Sequence, residues 1–169
     1  MFENLKVFKK IIVTGPQRAG TTITAKMIAA DTGHKYVDEN DIGVKQLPRL
    51  RRLVENGENI AVHCPALCRF VHEFGRRDDT AVVLVRRPVD DIVASQKRIE
   101  WPAEKEELKR YGLNTGTIAQ VKYNFWKEKQ KQQINHAVEV EYASLKNHPM
   151  WVPPEKRIGW GPRQTGAAA

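Results

Sequence analysis

Long apolar runs are missing from this chain of 169 residues; none approaches the ~20 consecutive apolar residues that a membrane-spanning helix requires. The first ten residues, MFENLKVFKK, lack the apolar stretch of a secretory signal. A cytoplasmic protein with no membrane partner is the expectation. Cysteine is scarce: Cys64 and Cys68 are the only two, too few for a disulfide framework. With His63 and His72 nearby they still lack the ligand spacing of a closed zinc site, so they read as semi-buried thiols and no metal site is expected. No internal repeat is visible, and the length suits one domain. Residues 1–150 read as that domain and 151–169, rich in Pro, Trp and Gly, as an irregular tail.

The most informative absence is one lysine. Residues 11 to 22 read IIVTGPQRAGTT, a β-branched run ending in a glycine-containing loop before the helical stretch TTITAKMIAA. A strand–loop–helix unit of this kind holds phosphate, because backbone N–H groups and the positive end of the helix dipole converge on the anion. Gly15 and Gly20 fit the spacing G-x-x-x-x-G-K-[ST], but Thr21 stands where the motif has lysine, and Thr22 follows. That lysine normally neutralises the β/γ-phosphates of a nucleoside triphosphate. Arg18 is the substitute cation within Gln17-Arg18-Ala19-Gly20. The plain alternative is a tight glycine turn in an ordinary strand-to-helix connection.

Apolar runs and helical patterns alternate through the rest. KKIIVTG, HKYVDEND, ENIAVHC, TAVVLVRR and AVEVEYASL read as strands. TTITAKMIAADTG reads as a helix stopped at Gly33, and a second helix begins near Pro48. ALCRFVHEFG is a short helix, PVDDIVASQKRI follows the fourth strand, and TIAQVKYNFWKEKQKQQ is a long helix with Ile118, Val121 and Phe125 on one face. WPAEKEELKRYGLNTG is too polar to place and reads as a mobile stretch. This alternation predicts an α/β fold: a P-loop three-layer sandwich with a mostly parallel sheet of about five strands and helices on both faces.

Ligands of such sheets sit beyond the carboxyl ends of the strands. There the third strand delivers Val62-His63-Cys64-Pro65 and the fourth delivers Arg86-Arg87-Pro88, with Ser95 on the following helix. None of these ends carries the carboxylate with which a P-loop kinase holds magnesium. A phosphate cradle, arginines, one histidine and a hydroxyl suit an anionic cofactor and one proton transfer without a metal. Plainer readings stand beside these: His63 as a hydrogen-bonded core histidine, Arg86 and Arg87 paired with Asp90 and Asp91, Ser95 as structural. Asp38, Glu39 and Asp41 follow the second strand and read equally as a substrate hook or a solvated turn. The net charge of +8 suits any anionic partner and does not choose among them.

GPQRAGTT, VHCP, VVLVRRPVDDIVAS and VEYASLKNHP, in that order, resemble segments of the PAPS-dependent sulfotransferase family. The resemblance covers residues 11 to 149. It implies a sulfuryl transfer from 3′-phosphoadenosine 5′-phosphosulfate (PAPS) to a hydroxyl or amine of a small-molecule or polymeric acceptor. Gly15, Gln17, Arg18, Ala19, Gly20, Thr21 and Thr22 would hold the 5′-phosphosulfate, and Arg86 or Arg87 with Ser95 the 3′-phosphate. Arg18 and His63 would be catalytic, the first on the bridging oxygen and the second as base. Arg86 to Ser95 is one residue longer than the family spacing, whereas from Arg87 the serine spacing fits but the Arg-x-Pro relation is lost. Ala143 replaces a glutamate, and Lys156-Arg157-Ile158-Gly159 is a loose counterpart of the family's C-terminal Arg-Lys-Gly loop.

Two alternatives accompany that reading. One is a divergent P-loop kinase using ATP and magnesium on a nucleotide, nucleoside or nucleic acid, with the acidic cluster at its substrate and region 100–116 as a lid. The other is a non-catalytic nucleic-acid or nucleotide-binding module, against which Trp101, Tyr111, Tyr123 and Trp126 form no stacking stripe. The acceptor and the oligomeric state have no signature in the sequence.

Overall fold

A computed structural model describes residues 1–43, 46–100, 104–153 and Lys156. After a 3₁₀ turn at Glu3–Val7, the chain runs through β1 (Lys10–Thr14), α1 (Thr21–Thr32), β2 (Lys35–Val37), α2 (Glu39–Ile42), α3 (Leu47–Asn56) and β3 (Ile60–His63). A 3₁₀ segment, Pro65–Glu73, leads into β4 (Thr80–Arg86), α4 (Val89–Arg98), α5 (Glu104–Arg110) and α6 (Ile118–Phe125). π and 3₁₀ turns (Trp126–Gln130, Lys131–Gln133) then precede β5 (Ala137–Glu141), and a 3₁₀ segment, Tyr142–Asn147, follows it.

The five strands form one sheet in the order β2-β3-β1-β4-β5, and every pairing is parallel. Helices flank it. The continuous apolar runs explain which strands are central: β1, β3 and β4 are buried almost throughout, as strands covered on both faces must be. The edge strands β2 and β5 are partly exposed. Lys10 sits in this buried centre because its Nζ reaches Asp79 Oδ2 at 2.6 Å. From β1 the chain crosses towards β2, whereas from β4 it crosses towards β5. That reversal opens a crevice at the end of β1, where the phosphate loop lies.

Several elements differ from the sequence expectation. The second strand stops at Val37, because Asp38 accepts from Asn40 N and caps α2 in a capping box with Asp41. The polar stretch after residue 100 contains a helix, α5, whose Leu108 and Glu107 are buried. The short helix after β3 is a 3₁₀ segment, and the long helix from Ile118 keeps α geometry only to Phe125. Its buried face is Ile118, Ala119, Lys122 and Tyr123 rather than the Val121 side. Cys64 and Cys68 are fully buried free thiols, and burial raises both above the ordinary thiol range. Among the described residues no helix is long and apolar enough to cross a membrane, and no group of three His, Cys, Asp or Glu side chains forms a metal site. Most of the 151–169 tail, including Arg157-Ile158-Gly159, lies outside the described residues.

Candidate active site

Gly15 to Gly20 form the loop between β1 and α1. Gly15 and Gly20 have φ of 146° and 99°, and Arg18 between them has φ of 74°. A non-glycine residue in that region costs about 1–3 kcal/mol and persists only where its surroundings hold it there. They do: Arg18 Nε donates to Ser95 Oγ at 3.1 Å, and Arg87 Nη1 donates to the Arg18 carbonyl at 3.1 Å. Gly20 caps α1 without any side-chain hydrogen bond, so the helix presents first-turn N–H groups to the crevice. The space beside Gly20 is already taken. A Cβ there would lie 2.4 Å from Tyr142 Cδ2.

The two adjacent arginines separate. Arg86 is in register with Glu141 and turns to β5, with Nη1 3.0 Å from Glu139 Oε2 and Nε 3.7 Å from Glu141 Oε1. Arg87 turns to the loop, its guanidinium 4.6 Å from the Tyr142 ring centroid. Its buried Nε has no hydrogen-bond partner, the Asp91 carboxylate standing 3.6 Å away. Neither arginine bonds Ser95 directly; Arg18 connects Arg87 to it. Both arginines line a cavity of about 460 Å³ that extends past Tyr123 to Lys127.

On the other side of the loop, His63 ends β3. Its Nε2 is 3.0 Å from Thr21 Oγ1 and 3.2 Å from Thr22 Oγ1, and its Nδ1 is 3.6 Å from Asp38 Oδ2. That separation is an electrostatic contact rather than a hydrogen bond, and Nδ1 has no closer partner. Burial lowers the imidazole pKa to about 4, against the pull of Asp38 and with the help of Lys26. His63 is therefore neutral near pH 7. With its proton on Nδ1, towards Asp38, Nε2 is an acceptor facing two hydroxyls. Burial alone would raise Asp38, but the Tyr36 hydroxyl at 2.5 Å, the Asn40 amide and His63 outweigh it and hold the carboxyl below its ordinary value. Glu39 points elsewhere, accepting from Ala66 N at 3.0 Å, and Asp41 serves the capping box.

A third group is absent from the sequence reading. Gln17 reaches a buried pair, Lys122 and Glu107: Gln17 Nε2 donates to Glu107 Oε1 at 2.8 Å and Lys122 Nζ donates to Gln17 Oε1 at 2.5 Å. Lys122 also donates to Pro65 O at 3.2 Å and lies 2.7 Å from Glu107 Oε2. The signal was present, since Lys122 falls four residues after Ile118 on the apolar side of its helix. Tyr142 and Tyr123 were likewise missed; the Tyr123 hydroxyl accepts from Arg87 N at 2.9 Å and fixes the turn after β4.

No family model and no curated protein matches the sequence. Its fold does have a neighbour among solved structures. The shikimate kinase of Acinetobacter baumannii, solved in complex with shikimate, matches with a TM-score of 0.54 at 14% identity, over 83% of this chain and 88% of that one. The chain has a P-loop kinase-like fold. This likeness supports the kinase alternative at the level of architecture, and it brings no support for PAPS.

Proposed function

We propose that this chain is a P-loop transferase that passes a sulfuryl group from PAPS to a hydroxyl or amine, with His63 as the base. The observation that carries the reading is the placement of a neutral imidazole, backed by Asp38, against the hydroxyls that open the phosphate helix. The chain's residues fit a doubly anionic nucleotide. The glycine cradle and the first-turn N–H groups of α1 would receive the 5′-phosphosulfate, and Arg87, whose Nε has no hydrogen-bond partner, would receive a second phosphate together with Ser95. Arg18 supplies the positive charge next to the bond that breaks; losing such a donor typically costs about 2.7–4 kcal/mol of barrier. His63 leaves its threonine contacts to take the acceptor's proton, a step worth roughly 10²–10⁴ in rate.

A second reading, a divergent kinase, is favoured by the fold comparison and by Asp38 at the end of β2. Thr22 and Asp38 are the side chains available to hold magnesium beside nucleotide phosphates, which need only one or two carboxylates. The missing loop lysine, with Thr21 in its place and Arg18 as the loop cation, weighs towards PAPS; the fold does not decide, because one fold hosts many chemistries.

Thermal stabilisation by adenosine 3′,5′-bisphosphate and by ATP with magnesium separates the two. Ligand at 100 times its Kd adds about 2.7 kcal/mol, a shift of several degrees at this size. A shift with the bisphosphate, with His63→Ala binding normally and lacking sulfuryl transfer, supports the proposal. A shift with ATP and magnesium alone replaces it with the kinase reading.

A further inference from the structure

A separate cavity of about 250 Å³ lies where the 3₁₀ segment Pro65–Glu73 meets α5 and α6. Leu67, Phe70 and Tyr111 supply apolar and aromatic wall, Arg69 and Arg110 are exposed side chains on its lining, and Glu107 and Lys122 are its buried charged pair. Arg69 is held in place by its neighbours, its guanidinium 5.6 Å from the Phe70 ring centroid and 5.9 Å from that of Tyr111. It also donates to the Arg110 carbonyl. Glu107 Oε2 is buried and ion-paired with the Lys122 ammonium at 2.7 Å, while that ammonium also donates to Gln17 and Pro65.

Two connections place this cavity next to the proposed reaction centre. Gln17 of the phosphate loop bonds both Glu107 and Lys122. Ala66, on the cavity wall, donates its N–H to Glu39, the neighbour of the Asp38 that faces His63. The lining charges comprise three cations and one carboxylate.

We infer that this cavity binds the acceptor, and that the acceptor is a small aromatic acid carrying a hydroxyl or amine. The ring lies against Phe70 and Tyr111, and the acid group meets Arg69 and Arg110. A charged acid on paired guanidiniums is the contact that sets specificity, since planar forks match carboxylate geometry. The acceptor role rests on the transferase reading above; binding of the acid does not.

Calorimetry on the full chain tests it, with 4-hydroxyphenylacetate as the probe and 4-hydroxyphenylacetamide as its uncharged counterpart. The same samples are titrated with adenosine 3′,5′-bisphosphate and with ATP and magnesium. The acid is expected to bind at least tenfold more tightly than the amide. Arg69→Ala with Arg110→Ala is expected to abolish that preference, and Ala66→Leu, which grows into the cavity without changing charge, to abolish binding of both probes. Arg76→Ala, remote from the cavity, leaves binding unchanged. Nucleotide binding without acid binding, or acid binding indifferent to these substitutions, overturns the cavity assignment and leaves the transferase reading standing. Acid binding in a protein that takes neither nucleotide overturns the acceptor role instead.

Discussion

The two sides of the phosphate loop solve different problems. On the β4 side, cations are drawn together: Arg87 donates to the Arg18 carbonyl, Arg18 donates to Ser95, and the Tyr142 ring stacks on Arg87 and closes over Gly20. On the β2–β3 side, charge is kept low: His63 is neutral, Asp38 is engaged by Tyr36 and Asn40, and Glu39 caps a backbone N–H. In the proposed transfer, the first side holds negative charge and the second moves a proton. The backbone strain of the loop, at Arg18, lies on the first side, where Ser95 and Arg87 hold it. A donor has to be held still against its leaving group, whereas a base has to release its resting hydrogen bonds.

The largest effect belongs to the strained side. Gly20→Ala forces a side chain into positive φ and to 2.4 Å from Tyr142. Strain of about 1–3 kcal/mol and overpacking of similar size are expected. Thermal unfolding should show a loss of several degrees, and nucleotide titration a loss of binding. Adding Tyr142→Ala relieves the clash but leaves the φ penalty, so partial recovery of stability is the expected outcome of the double variant. A Gly20→Ala protein as stable as the parent and binding nucleotide normally would break the contrast, since the loop would then tolerate what its geometry forbids.

How legible the molecule was follows the same division. The central strands were readable because continuous β-branched runs have one economical home, a parallel strand covered on both faces. The loop was readable because a glycine spacing and an adjacent helix start encode a backbone shape. The partition of Arg86 from Arg87 was not, because it depends on the register that sets Arg86 opposite Glu141 on β5. Glu107 escaped because alone it looks like a solvated surface charge, and although Lys122 falls on the apolar side of its helix, only the fold brings the two to 2.7 Å and joins them to the loop through Gln17. Helix α5 escaped because EKEELKR carries one apolar residue, Leu108, and its burial comes from packing on α6. The comparison with shikimate kinase resolves architecture in the same way, leaving the donor to the side chains.

The next effect belongs to the proton side. His63 titrates at about 4 in the folded chain against an ordinary 6.5. Between these values the unfolded chain takes up a proton that the native state refuses. The stabilisation is complete above pH 6.5 and is lost as pH falls towards 4, by up to about 3 kcal/mol. Asp31, held at about 2, and Asp79, held lower still, lose their own contributions at lower pH, below the ordinary carboxylate value of 3.8. Denaturant titrations at intervals from pH 7 to 4 should therefore show a falling stability that is flattened in His63→Gln. An unchanged slope in that variant would mean that His63 takes its proton without cost, and the two sides would no longer differ in how they treat charge.

The smallest effect is the sharpest test of which arginine serves the donor. Arg87, 22% exposed at its side chain, faces the loop, whereas Arg86, 37% exposed, spends its guanidinium on Glu139 and Glu141. A hydrogen bond to a charged group contributes about 1.5–3 kcal/mol, so Arg87→Ala should weaken adenosine 3′,5′-bisphosphate binding by roughly ten- to a hundredfold. Arg87→Lys should recover only part, because an ammonium keeps the charge and loses the fork that also holds the Arg18 carbonyl. Arg86→Ala should change nucleotide affinity less than threefold and cost about 0–1 kcal/mol of stability, as partly exposed ion pairs do. Equal losses from both arginines would move the second phosphate out to the cavity they share with Lys127 and away from Ser95. The strained Arg18 backbone would then be explained by the 5′ group alone.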